Sequence, residues 1–504
     1  METALVLLYF ATLLLLCGYG VHRAHLVLLV WRHRRQLERA VRPHEVGDDE
    51  LPAVTVQLPL YNEATVVARL LEAAGTIDYP RDRLEIQVLD DSTDETRSIA
   101  LAKVAELRAG GLDIHYVRRP SRVGYKAGAL DFGLARAKGE LIAIFDADFI
   151  PQPRFLRDVV GHFREPDVGM VQTRWGHINR NHSMLTSIQA LMLDGHHLVE
   201  NRARFGAGLM FNFSGTGGIW RCAAIRSAGG WQHDTLTEDL DLSYRAQLAG
   251  WRFVYRPDVL TPSELPEDMS AFRAQQYRWA KGTVQTARKL LQRVLSAPLT
   301  FSQRLEAFFH LTPHFAYPLM MLLSVLLLPA LILMPATDVR TMLVIDLPLC
   351  VGATGSLATF YIVAERAQGR SAWLAMRRLP LLIALGAGLA PHLSRAVYEG
   401  LRSMAGEFVR TPKKGIVAGR YRQHAELPLV EIGLALLSFA SVVASLETGH
   451  WFATPFASLF TVGYAYVAWL VVAEQLSGRR AALARASEPP AEATEQAPAL
   501  SRAA

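Results

Sequence analysis

The sequence predicts an α/β domain with a mostly parallel, Rossmann-like sheet, joined to an α-helical transmembrane domain. Three observations carry this. Apolar residues make up 51% of the 504 and gather in Leu5 to Trp31 and again after Phe308, whereas Arg32 to Gln303 has the mixed composition of a soluble domain. Within that middle region, strand-like apolar runs alternate with helical patterns, which is how a parallel sheet covered by helices reads. Two of the runs end on aspartates, at the strand ends where such sheets bind ligands.

The first apolar segment has no basic stretch before it, and Arg32-His33-Arg34-Arg35 follows it. That polarity predicts a retained anchor with its N-terminus outside and the next domain in the cytoplasm, rather than a cleaved signal. Further spans of membrane length run roughly over 313–335, 342–364, 428–447 and 455–476. Leu379 to Ala390 offers only about a dozen apolar residues before Pro391 and His392, short for a span. Basic residues flank it on both sides (Arg377 and Arg378, then Arg395 and Arg402), so it is expected to lie at the interface or re-enter. The expected domains are therefore 1–31, an N-terminal membrane helix; 32–300, a catalytic domain; 301–476, interfacial and membrane helices with a loop at 402–424; and 477–504, a disordered tail.

The net charge of +6 is modest, and much of it lies beside apolar spans. It reads as contact with membrane lipids, not with nucleic acid. The three cysteines, Cys17, Cys222 and Cys350, are too scattered for a disulfide framework or a zinc site. Neither GxGxxG nor GxxxxGK[ST] is present, which leaves the dinucleotide and P-loop readings poorly supported.

Along the soluble region, Val54 to Leu58 reads as a strand leading into PLYNE, and Glu85 to Leu89 as one ending on Asp90-Asp91-Ser92. Leu141 to Phe145 ends on Asp146-Ala147-Asp148. Two carboxylates at such a strand end can be a mere acidic turn. They can equally hold Mg²⁺ or Mn²⁺, which bridges carboxylate and phosphate oxygens and stabilises a departing diphosphate. Asp90 and Asp91 can cap the next helix or accept hydrogen bonds from a nucleotide. Lys126, in YKAGAL, can approach donor phosphates, with Gly128 permitting close backbone contact. Thr237-Glu238-Asp239 opens a helical pattern, so Thr237 can be its N-cap, while Asp239 is the candidate general base on an acceptor hydroxyl. One base opposite a metal-held leaving group suits a single in-line displacement, which inverts the anomeric centre. In Gln275-Gln276-Tyr277-Arg278-Trp279 the side chains could belong to a helix lying on the membrane, yet Trp279 offers a flat face to a sugar and Arg278 a charge to the diphosphate. Thr216 and Gly217, in FNFSGTGGIWR, read as a flexible loop that lets an acceptor approach the backbone. His196, His197, His310 and His314 lack a third ligand at metal-site spacing and receive no role.

The ordered set DDS, DAD, TED and QxxRW resembles the processive membrane members of glycosyltransferase family 2, which include cellulose, mannan and hyaluronan synthases. Among these the likeness is greatest to the cellulose-synthase-like A and C group. It spans roughly Val54 to Leu290 and is carried by PLYNE, VLDDSTDET, RVGYKAGAL, FDADF, VQTRW, FNFSGTGGIWR, TEDLDLSYRAQLAGW and QQYRWAKG. The resemblance implies a GT-A type catalytic domain in which Asp90 or Asp91 contacts the nucleotide and Asp146 and Asp148 hold the metal. Asp239 would be the base, and Gln275, Arg278 and Trp279 would line the donor and acceptor subsites. Phe408, Arg410, Thr411 and Lys413 resemble a gating loop, with Arg410 standing where that pattern has Val. A C-terminal cyclic di-GMP-binding module of the kind found on many bacterial cellulose synthases is not expected.

The implied activity is inverting transfer of a hexose from UDP-glucose or GDP-mannose onto a growing β-linked glycan acceptor, coupled to membrane translocation. A non-processive glycolipid synthase, adding one or two sugars to a lipid, is the alternative. A non-enzymatic scaffold is disfavoured because every carboxylate the chemistry needs is present. The Ala- and Arg-rich composition suggests a bacterial inner membrane, and no periplasmic export partner can be named from the sequence.

Overall fold

In the computed structural model, which describes residues 2–40, 46–334, 354–404, 406 and 427–486, seven strands form a single sheet. They are β1 (Val54–Leu60), β2 (Leu84–Asp90), β3 (Ile114–Val117), β4 (Leu141–Ile144), β5 (Val168–His177), β6 (Gly218–Arg221) and β7 (Arg252–Ser263). The order across the sheet is β3-β2-β1-β4-β6-β5-β7. β3, β2, β1 and β4 run parallel, β6 lies antiparallel between β4 and β5, and β5 and β7 are again parallel. This is the mostly parallel sheet that the alternating pattern predicts.

Both faces are buried, which is why the strands read as nearly continuous apolar runs. Successive side chains go to opposite faces: Ala143 and Phe145 join one core with Val56, Leu58 and Val88, while Ile142 and Ile144 join another with Leu130, Phe213 and Trp220. Buried polar residues on β1 and β2 bond across the strands. Thr55 donates to Glu85 at 2.7 Å and Gln57 to Gln87 at 3.1 Å. Leu60 lies opposite Asp90, and Gln57 opposite Ile144, so the carboxyl ends of β1, β2 and β4 share one edge. β6 enters from that edge, with Gly218 opposite both Ile144 and Gln172.

Five described helices are long and apolar enough to cross a membrane, which fits a membrane location: Glu2–Arg32, Pro313–Leu333, Ala372–Arg402, Leu429–Glu447 and Thr454–Ser477. The set differs from the expected one in the third. The Leu379 to Ala390 stretch is not a short segment stopped at Pro391; it belongs to an unbroken 31-residue helix containing both Pro380 and Pro391. Leu382, Leu385, Leu389, Leu393 and Ala396 continue one buried face through Pro391, and Gly388 meets the backbone of Gly463 on the Thr454–Ala486 helix. Close packing through small residues supports the helix across its prolines. Of the span expected at 342–364, the described part is a helix over 354–366. The last helix continues to Ala486, so the tail is helical for ten residues beyond the boundary at 476. Residues 487–504 lie outside the described set, as do Phe408, Arg410, Thr411 and Lys413 of the gating-like loop.

Buried charges fasten the sheet domain to these helices. Arg180 pairs with Asp194 on its own side and, at 2.6 Å, with Glu365 of the 354–366 helix. Glu306 of the Phe301–Leu311 helix accepts from Arg204 at 2.9 Å and lies 2.8 Å from His22 of the N-terminal helix. Glu474, from the last helix, accepts from the N–H of Ser270 at 3.0 Å and its hydroxyl at 2.6 Å, capping the long Met269–Ser296 helix.

Candidate active site

The site lies at the shared strand edge, where the chain is pinned into an uncommon conformation at two points. Asn62, after β1, and Tyr125, at the start of the Tyr125–Leu134 helix, are the non-glycine residues with positive φ among those described. Such backbone is costly and persists where the surroundings impose it. Arg119 imposes the second: its guanidinium grips Asp91 through two bonds (2.9 and 2.6 Å) and the Tyr125 carbonyl at 2.7 Å. A Cβ on Gly128 would overlap the Val123 carbonyl and Arg119, so this glycine serves the turn's own close packing.

The two aspartates of DDS separate in role. Asp90 is buried, accepting from the Ser92 N–H at 2.8 Å and the Tyr116 hydroxyl at 2.7 Å, and it does not face the cavity. Asp91 does, beside Tyr61, Arg122 and Tyr125. The Arg122 guanidinium lies 3.3 Å from the Tyr61 ring centroid and 4.9 Å from that of Tyr125. Sequence reading missed this cation-and-ring cluster, although Tyr61 and Arg122 stand inside two of the quoted motifs.

Asp146 and Asp148 follow β4 and line the same cavity of about 190 Å³ with Lys126, Glu238, Asp239 and Arg278. The Asp146 N–H donates to the Thr216 hydroxyl at 2.9 Å, and Lys126 Nζ lies 2.6 Å from the Asp146 carboxylate. Thr216 and Gly217 are therefore not a flexible acceptor loop. Thr216 is buried, Gly217 is bonded to Ile144 and Thr173, and it is Ser214 and Gly215 that line the cavity.

No cluster of three or more His, Cys, Asp or Glu side chains suited to a metal occurs among the described residues. Two carboxylates on an open strand edge nevertheless fit Mg²⁺ or Mn²⁺, which commonly take one or two protein carboxylates and complete the shell with phosphate oxygens and water.

Asp239 stands in the first turn of the Glu238–Leu248 helix. Burial, followed by the neighbouring Glu238, pushes its carboxyl up to about 7, against the pull of Lys126. Thr237 is no side-chain N-cap; its hydroxyl bonds Thr286 of the Met269–Ser296 helix at 3.1 Å. The same helix carries Gln275, Arg278 and Trp279, and Gly282 lets it touch the TED turn. A Cβ at Gly282 would come within 2.9 Å of backbone atoms of both Leu236 and Thr237. Gly282→Ala should cost about 1–3 kcal/mol by overpacking and lower transfer activity by displacing Asp239; unchanged thermal unfolding and turnover would refute this packing role.

Asp239, Gln275 and Trp279 also face a second, larger cavity of about 600 Å³, which passes Trp175, His196 and Glu200 and continues between membrane helices past Met320 and Phe460. The histidines left without a role mostly stand in its wall. His310 bonds Tyr244 at 2.8 Å and Asn212 at 3.1 Å, and His196 lies 3.0 Å from Glu200 on a π-helical turn.

Residues 52–282 match the family model described as glycosyltransferase like family 2. The chain is 32% identical to glucomannan 4-beta-mannosyltransferase 1 of Oryza sativa over 467 residues, covering 87% of this chain and 88% of that protein. The chain belongs to glycosyltransferase family 2. Glucomannan 4-beta-mannosyltransferase 2 of Arabidopsis thaliana is 42% identical over 278 residues, 54% of this chain, and the chain spans about half (52%) of that relative's length. Among solved structures, a mannosyltransferase of Pyrobaculum calidifontis in complex with GDP-Man and Mn2+ is 26% identical with a TM-score of 0.50, covering 71% of this chain and 97% of that one. The chain has the GT-A fold of this family.

Proposed function

We propose that this glycosyltransferase moves mannosyl units from GDP-mannose onto the end of a β-1,4-linked mannan or glucomannan, with inversion, and that the product enters the membrane through the larger cavity. One observation carries the reading: Asp239 faces both cavities, with the diphosphate-binding groups on one side and Trp279 and Gln275 beside it. The names of the two plant relatives, and the GDP-Man in the Pyrobaculum structure, favour mannose over glucose as the sugar.

In this mechanism Asp239 takes the proton of an acceptor hydroxyl, whose oxygen forms the new bond to the anomeric carbon as the bond to the diphosphate breaks. Attack from the face opposite the leaving group turns an α-linked donor into a β-linkage. Lys126 and Arg278 receive the departing diphosphate. A divalent ion at Asp146 and Asp148 would neutralise part of the charge that builds on it. Trp279 presents its ring to the sugar, and Arg122 with Tyr61 and Tyr125 supports the nucleotide. The basic cluster at Arg32 to Arg35 supports a cytoplasmic catalytic domain with the N-terminus outside, and the Ala- and Arg-rich composition favours a bacterial inner membrane, although the plant relatives do not support that assignment.

Product analysis tests the function. Reconstituted protein with Mn²⁺ and radiolabelled GDP-mannose should retain label in a polymer released by β-mannanase. Label accepted only from UDP-glucose would reassign the donor, and a short product extracted into organic solvent would make the protein a glycolipid synthase.

The base also sets a pH dependence. Below about 7 the Asp239 carboxyl is protonated and takes no proton from the acceptor. The rate constant kcat/KM should therefore fall about tenfold per pH unit on the acid side. A flat profile between pH 5 and 7 would remove Asp239 from the role.

A further inference from the structure

We propose that Lys126 is a resident counter-cation of the metal site, holding the ion's place until metal and nucleotide arrive together. This deepens the function proposed above and rests on its metal- and diphosphate-dependent donor site. Lys126 Nζ is 2.6 Å from Asp146 Oδ1, donates to the Gly215 carbonyl at 2.9 Å, and lies 4.0 Å from Glu238 Oε1. The ammonium thus stands among carboxylates of the strand end after β4 and of the TED turn, in a cavity that the Arg278 guanidinium also lines, and it is the ammonium that lies 2.6 Å from Asp146.

The backbone beneath it is fixed, because Lys126 follows left-handed Tyr125, whose carbonyl is held by Arg119. The four-carbon stem is the part free to turn. A divalent ion approaching Asp146 alone meets this ammonium at close range, where burial strengthens repulsion between cations. Moving Lys126 aside without replacement would strip it of its nearest carboxylate. A diphosphate supplies new acceptor oxygens in the same cavity, so the exchange becomes favourable when metal and diphosphate enter together. Asp146 then passes from the ammonium to the metal, and the ammonium from Asp146 to phosphate oxygen. Metal and nucleotide must therefore strengthen each other's binding, by the same factor in both directions.

Mn²⁺ binding to the full-length protein in nanodiscs, followed by the paramagnetic resonance signal of free Mn²⁺, tests this. Saturating GDP should tighten Mn²⁺ binding to the wild-type protein by about tenfold or more. Lys126→Met should bind Mn²⁺ alone about tenfold more tightly than wild type, with the effect of GDP shrinking to about twofold or less. Equal affinities of the two proteins for Mn²⁺ alone would overturn the proposal. So would tight, GDP-independent binding by the wild-type protein, a result that needs no variant to fold. If UDP produces the coupling and GDP does not, Lys126 keeps this role and the mannosyl donor is wrong.

Discussion

Asp239→Asn is expected to reduce kcat by about 10³–10⁴ while leaving GDP affinity within about threefold. The amide keeps the shape of the carboxylate but takes no proton, and Asp239 is, among the described residues, the carboxylate that lines both the smaller and the larger cavity. The same substitution should stabilise the protein near neutral pH. Asp239 is raised from 3.8 to about 7 by burial and by Glu238, so the unfolded chain releases this proton at lower pH than the folded one does. Folding is therefore penalised increasingly as pH rises from about 4 to about 7, and the penalty persists above that. Asparagine removes it. An inactive variant with a higher Tm would show a catalytic group kept at a cost in stability; retained turnover would end the base assignment.

Asp148→Ala should have the second-largest effect. On the proposed function this removes a metal ligand from a site that neutralises a leaving diphosphate, which should lower kcat/KM by about a thousandfold and abolish the Mn²⁺ enhancement of GDP binding. Asp148 tests the metal more cleanly than Asp146, because Asp146 also holds Lys126 and its loss would disturb two cations at once. Wild-type Mn²⁺ dependence in Asp148→Ala, measured by GDP titration with and without the ion, would show that the metal is held elsewhere.

The sheet and the gathering of most of the candidate site residues were legible because they follow local rules: apolar runs mark buried strands, and the charged residues sit where the runs stop. Asp146, Asp148, Lys126, Asp239, Arg278 and Trp279 were recognised and do share the cavity. What sequence could not show was direction. Nothing in VLDDS tells that Asp90 turns inward to Tyr116 while Asp91 faces outward under Arg119. In SGTGG, the glycines suggest flexibility, yet Thr216 and Gly217 are locked by bonds to β4 and β5, from segments about 40 and 70 residues away. The Ala372–Arg402 helix was cut short because its apolar residues continue as a stripe past Pro391 rather than as a solid run. A stripe suffices there, since neighbouring helices cover that face.

The capping of the QxxRW helix by Glu474 has a mechanical consequence. With that helix end tied to the last membrane helix, and Arg180 and Glu306 tying two further points, the sheet domain is held against the helices at three described places, which opposes a ratcheting motion against the bilayer. On the proposed function, each lengthening by one sugar must then be a slide of the polymer through a stationary frame. Release of Trp279 from one ring and capture of the next would set the stride, and the free energy released when the donor's sugar–diphosphate bond breaks, rather than a power stroke of the protein, would drive the thread outward.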